Sequence, residues 1–140
     1  MRSADAGAVA ALTAELGYPA DEAEMSRRVA ALLARPDEHI VLVAVDATDR
    51  PIGWLHVETT RTLETGPMAT IAGLVVGERE RSGGIGRALL EAGEAWARER
   101  GLPTMQVRSR TSRERAHRFY EREGYERVKT SAVFRKSLVG

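Results

Sequence analysis

The chain contains no cysteine, which excludes disulfide bridges, thiolate metal centres and a cysteine nucleophile. Lysine is almost as scarce, occurring only at Lys129 and Lys136, so nearly every basic residue is an arginine. Basic and acidic residues stand at 21 against 20, a formal net charge of +1, and such a balance gives no electrostatic footprint for nucleic acid. No apolar run approaches the length of a membrane span, and the opening Met1-Arg2-Ser3-Ala4-Asp5 lacks the apolar core of a signal peptide. The expectation is a soluble cytoplasmic protein with neither a membrane nor a nucleic-acid partner. Three histidines, His39, His56 and His117, have no metal-ligand spacing, and no metal is expected.

What is present is enough chain for one domain. At 140 residues a core can be buried without staples, and no linker or repeat divides residues 1–140. Val9, Leu12 and Leu16 recur at helical spacing before Gly17, and Asp21 with Glu24 reads as a capping box for a second helix that ends near Pro36. Ile40 to Val45 reads as a buried strand. Ile52 to Thr60 alternates, with Ile52, Trp54, His56 and Glu58 on one face. A third strand from Thr70 to Val76 is followed by a helix, a short strand near Thr104 to Arg108, and a helix capped by Thr111 with Glu114. Tyr125 to Lys129 and Ala132 to Leu138 read as a closing antiparallel hairpin. This order implies an α/β or α+β sheet flanked by helices.

Residues 69–87 carry the densest information. An apolar strand runs into Gly83, Gly84 and Gly86, and a helix opens at once. Glycines let the backbone turn sharply and approach a ligand, while the helix start contributes unpaired N–H groups and the positive end of its dipole. That is the build of a phosphate or pyrophosphate site, with Arg79, Arg81 and Arg87 around it. A Walker-type loop is excluded, because Gly86-Arg87-Ala88 places no hydroxyl for Mg²⁺, and the glycines do not complete the dinucleotide fingerprint. A tight strand-to-helix turn can also collect glycines for purely structural reasons.

The remaining pattern, Arg81-x-x-Gly84-x-Gly86, resembles the acyl-CoA pyrophosphate loop of the GNAT superfamily of N-acetyltransferases. Phe119-Tyr120-Glu121-Arg122-Glu123-Gly124-Tyr125 is similar to a second segment of that family, in the expected order. The resemblance runs from about Val9 to Leu138. It implies a mixed, mostly antiparallel twisted sheet whose first strand is short or missing here, since only Met1 to Ser3 could supply it. It implies acetyl-CoA as acyl donor and a small-molecule or peptide amine as acceptor, with a homodimer common in the family. The backbone of Leu74, Val75 and Val76 would then pair with the pantetheine arm, a Val75 amide facing the thioester oxygen. The turn of Arg81, Ser82, Gly83, Gly84, Ile85, Gly86 and Arg87 would hold the pyrophosphate, and Arg113 stands where many members have a cofactor-binding asparagine.

Acetyl transfer to an amine needs a neutral nucleophile, stabilisation of the oxyanion and a proton for the leaving thiolate. The resemblance makes Tyr120 the proton donor, although a tyrosine after Phe119 also suits a plain aromatic core. No carboxylate occurs from Ala69 to Val76, where many members carry their base. Glu58 is the first candidate in its place and His56 the second, because both lie on one face of the neighbouring strand. A neutral histidine suits the task at pH 7, while a glutamate needs a raised pKa or a relaying water. Direct attack within a ternary complex is the economical mechanism without a cysteine. The alternative is a non-catalytic acyl-CoA-binding or regulatory module.

Overall fold

The computed structural model describes residues 1–15, 17–81 and 83–140, so Leu16 and Ser82, both named above, lie outside the described residues. The chain forms two compact units, Met1–Arg108 and Ser109–Gly140. In the first, a 3-10 turn at Ser3–Asp5 takes the place of an opening strand and leads into helices α1 (Ala6–Glu15) and α2 (Glu22–Leu33). Asp21 caps α2 as its sequence predicts, its side chain accepting from the Glu24 amide at 2.7 Å. Strands β1 (His39–Val45), β2 (Pro51–Thr62) and β3 (Gly66–Val76) follow, then helix α3 (Ile85–Glu99) and strand β4 (Met105–Val107). The sheet order is β1-β2-β3-β4, with the first two pairings antiparallel and the last parallel. This is the mixed, mostly antiparallel α+β sheet that the sequence implies. Among the described residues no helix is long and apolar enough to cross a membrane.

Alternation along the strands sends two sets of side chains to opposite faces. Leu55, Val57, Ala69 and Ile71 are buried on one face, where α3 covers the sheet with Leu89, Leu90 and Trp96. Trp54, His56 and Glu58 occupy the other face of β2, and Trp54 packs against the cluster of Ala6, Val9, Ala10, Met25 and Val29 from α1 and α2. The register of β1 on β2 is set by the turn between them. The Asp46 carboxylate accepts from the Thr48 and Arg50 amides at 2.8 and 3.0 Å, closing the hairpin so that His39 lies opposite Glu58 and Val41 opposite His56.

The second unit holds helix α4 (Glu114–Arg122), which stops at Gly124 with φ near +92°. Two expectations fail here. Thr111 and Glu114 do not form a capping box: α4 begins after Arg113, whose side chain makes no cap hydrogen bond. The closing hairpin is also absent, because residues 125–140 are in neither helix nor strand. Val128, Val133, Phe134, Leu138 and Val139 are 80–93% exposed. A strand is stable only with a partner for its backbone and cover for one face, and this segment has neither within its unit.

Candidate active site

A bulge in β3 builds the centre of the site. The pairing with β2 runs Trp54↔Val75, Leu55↔Leu74 and His56↔Gly73, then shifts to Val57↔Ile71, so Ala72 is the extra residue. β4 pairs with β3 only from Ala69 to Ile71. The stretch from Gly73 to Val76 therefore carries β2 on one edge and no strand on the other among the described residues. Which groups face that open edge follows from alternation. The Gly77 amide donates to the Ile52 carbonyl at 2.9 Å, so Val75 also turns its backbone toward β2, and Leu74 and Val76 turn theirs outward. The Val76 carbonyl accepts from Arg81 Nε at 3.4 Å on that side. The expectation that a Val75 amide would face a thioester is corrected by this geometry: its amide belongs to the ladder with Trp54, and the outward amides are those of Leu74 and Val76. Gly73 has its own reason, since a Cβ there would lie 2.6 Å from the Trp54 ring.

The glycine-rich turn meets α3 through Gly84, whose φ of +79° is costly for any residue with a Cβ. The first intrahelical bond of α3 runs from the Ala88 amide to the Gly84 carbonyl at 3.0 Å, which leaves the amides of Ile85 and Gly86 as first-turn donors with no intrahelical partner among the described residues. Gly83 is placed differently, because its amide already donates to the Glu80 carbonyl. Ile85 fixes the helix start against the sheet: its Cγ2 would touch a Cβ at Gly53 at 3.4 Å. Arg87 lies on the exposed side and pairs with Glu91 at 3.0 Å. What the turn offers to an anion is two backbone donors, the positive end of the helix dipole and exposed arginines.

His56 and Glu58 are together, as their shared face requires, but a third residue joins them. His39 Nδ1 lies 3.0 Å from His56 Nε2 and 3.9 Å from a Glu58 carboxylate oxygen. Burial, with a smaller push from His39, lowers the His56 imidazole to about 4. His56 is therefore neutral at pH 7, as a base must be, but a weaker base than an ordinary histidine. His39 was missed because 17 residues separate it from His56. Counting back across the Asp46–Arg50 turn in antiparallel register would have found it.

In the second unit, Tyr120 sits edge-on to Phe119 and Tyr125 with ring centroids 5.2 and 5.8 Å away. Burial pushes its phenol up to about 12, against a smaller pull from the Arg113 guanidinium. The hydroxyl keeps its proton throughout the neutral range. His117 is clamped by the Arg110 carbonyl at 2.8 Å and by Arg127 at 2.7 Å. That arrangement makes His117 a link holding the helix to its flanking segments.

Comparison with known proteins agrees with this frame. The model of the Acetyltransferase (GNAT) family matches residues 8–125. A curated relative, the aminoglycoside N(6')-acetyltransferase type 1 of Stenotrophomonas maltophilia, is 29% identical over 105 residues, 72% of this chain and 69% of its own length. The crystal structure of the aminoglycoside antibiotic 6'-N-acetyltransferase AAC(6')-Ih from Acinetobacter baumannii superposes with a TM-score of 0.86 at 19% identity, covering 99% of this chain and 96% of that one. AAC(6')-Iy in complex with the bisubstrate analogue CoA-S-monomethyl-acetylneamine gives 0.85 at 16% identity, over 98% of this chain and 95% of that one. At these identities the structural likeness speaks for the fold.

Proposed function

The chain belongs to the GNAT acetyltransferase family, whose members depend on acetyl-CoA, and we propose that residues 1–140 act as one domain that acetylates a primary amine by direct attack in a ternary complex. The observation that carries this reading is the open edge of β3 leading into the Gly84 turn. One segment offers outward backbone groups at Leu74 and Val76 and, a few residues on, the first-turn amides of Ile85 and Gly86 at the start of α3. The first set suits an extended amide-bearing arm and the second a pyrophosphate, which together describe coenzyme A. Bound there, acetyl-CoA supplies a thioester acyl group.

The chain's own residues then handle protons. Glu58, half-exposed on β2, is the leading candidate to take the proton from the ammonium form of the acceptor, directly or through water, with His56 as the alternative. Tyr120 holds a proton at neutral pH and is assigned to return one to the thiolate. Arg113 is assigned to the cofactor's phosphates. The acceptor is proposed to be a cationic amine of the aminoglycoside class, a reading supported by the named activities of the relatives. The exposed apolar side chains of the last residues, Val133, Phe134, Leu138 and Val139, are proposed to be covered by a second copy in a homodimer.

Calorimetric titration with acetyl-CoA, CoA and ATP tests the core of this reading. Micromolar binding of the two CoA species and much weaker binding of ATP are expected, followed by amine-dependent release of free thiol. Equal binding of ATP, or none of any, would remove the acyl-CoA assignment. CoA binding with no thiol release across a panel of amines would favour a binding module.

A further inference from the structure

We propose that His39, His56 and Glu58 form a binding site for one divalent transition-metal ion of the zinc class, on the face of β1 and β2 opposite α3. Two imidazole nitrogens and a carboxylate oxygen from three side chains converge, each atom within 4.8 Å of the others. His39 Nδ1 to His56 Nε2 is 3.0 Å, and His39 Nδ1 to the Glu58 oxygen is 3.9 Å. Ligands about 2.0–2.1 Å from a tetrahedral ion stand about 3.3–3.4 Å apart. The imidazoles need to part by a few tenths of an ångström and the carboxylate needs to swing inward. Both movements are small side-chain rotations.

The backbone around the site is fixed. His39 stands opposite Glu58 in the β1–β2 ladder and diagonal to His56, so the register that holds the sheet also holds all three ligands. The rings are tilted by 42° with centroids 5.2 Å apart, which brings nitrogens together and not ring faces. One proton now bridges the two imidazoles. An ion would displace it, leaving each ring protonated on its outer nitrogen and a lone pair on each inner one. The side chains of His39 and Glu58 are 18% and 34% exposed, shielded enough to strengthen coordination yet reachable from solvent. Two neutral histidines and one carboxylate suit Zn²⁺, Co²⁺, Ni²⁺ or Cu²⁺ and are a poor match for Mg²⁺ or Ca²⁺, which favour oxygen. Three protein ligands leave a coordination position for water.

A consequence for catalysis rests on the base assignment above. An ion held here ties up the lone pairs of both candidate bases, Glu58 and His56, so zinc would act as an inhibitor reversed by a chelator.

The test is titration of the full chain, first stripped with EDTA and dialysed, with Co²⁺ alone, read by its visible absorption bands. One equivalent is expected to bind with a dissociation constant below about 10 µM and the strong bands of a low-coordinate N₂O site. His39→Gln and His56→Gln are each expected to weaken binding at least about 10-fold to 100-fold. Should the buried His56 variant fail to fold, Glu58→Gln at a more exposed position carries the same expectation with a smaller loss. Affinity weaker than about 100 µM, or unchanged in the His39 variant, overturns the site. Because this readout involves no acetyl transfer, its failure is separate from failure of the proposed function. Co²⁺ binding without inhibition by Zn²⁺ upholds the site and overturns the assignment of the base to its ligands.

Discussion

Between Met1 and Arg108 the packing of α3 on the sheet leaves Leu55, Val57 and Leu90 at most 1% exposed, whereas from Ser109 to Gly140 no residue is fully buried and Tyr120 is only partly covered. Both regions contain aliphatic and aromatic residues at spacings suited to secondary structure. The difference lies in partners. β2 has a strand on each side and α3 across one face, so its alternating side chains become a core. The last residues have β-branched and aromatic character but no ladder and no covering layer within their unit, and they form neither helix nor strand. Propensity proposes a strand, and only a neighbour makes one. The proposed chemistry divides along the same line, with the cofactor edge, the turn and both candidate bases in the first unit and the tyrosine in the second.

The sharpest break in this comparison is a truncation in the buried half. Leu55→Ala should cost about 3–4 kcal/mol in urea unfolding, because the leucine fills the space over Gly93, where a Cβ would lie 2.7 Å from Leu55 Cδ2. A loss under about 1 kcal/mol would mean that α3 does not depend on that contact. Tyr120→Phe probes the second unit through chemistry. Turnover should fall about 100-fold, equivalent to about 2.7 kcal/mol, with acetyl-CoA affinity retained. In an alkaline absorbance titration the step near pH 12 should vanish. Unchanged turnover would take Tyr120 out of the mechanism.

A smaller effect separates the units by pH. His56, facing His39 and Glu58, has a folded pKa of about 4 against an ordinary 6.5. A depressed value means that the unfolded chain binds the proton first, so this contribution is full above pH 6.5 and is lost as pH falls toward 4. Allowing for the partial exposure of the ring, the loss should be roughly 1–2 kcal/mol. Unfolding in EDTA-containing buffers should display it in the native chain and not in His56→Gln. A flat profile from pH 7 to 4 would contradict the burial assigned to this imidazole. The smallest effect is expected at Phe134, 93% exposed, where Phe134→Ala should change monomer stability by less than about 0.5 kcal/mol. Light scattering gives that variant its second use: a native mass near twice 15.3 kDa that falls on substitution supports a dimer covering the tail, and a monomeric native chain removes it.

Much was legible in the chain itself. Alternation from Ile52 to Thr60, the Asp21 cap and the glycines that open α3 each act through a few neighbouring residues, so spacing alone reveals them. The family pattern at Arg81, Gly84 and Gly86 reads for the same reason, since a turn that presents backbone amides is a local device. Three features needed the fold. The bulge at Ala72 ends the pairing of β4 and turns Leu74 and Val76, not Val75, to the open edge. The terminal segment does not form the hairpin that its composition suggests, for want of a partner. His39 meets His56 and Glu58 only because two strands align in one register, a contact that depends on how the chain returns on itself and that no local pattern of residues encodes.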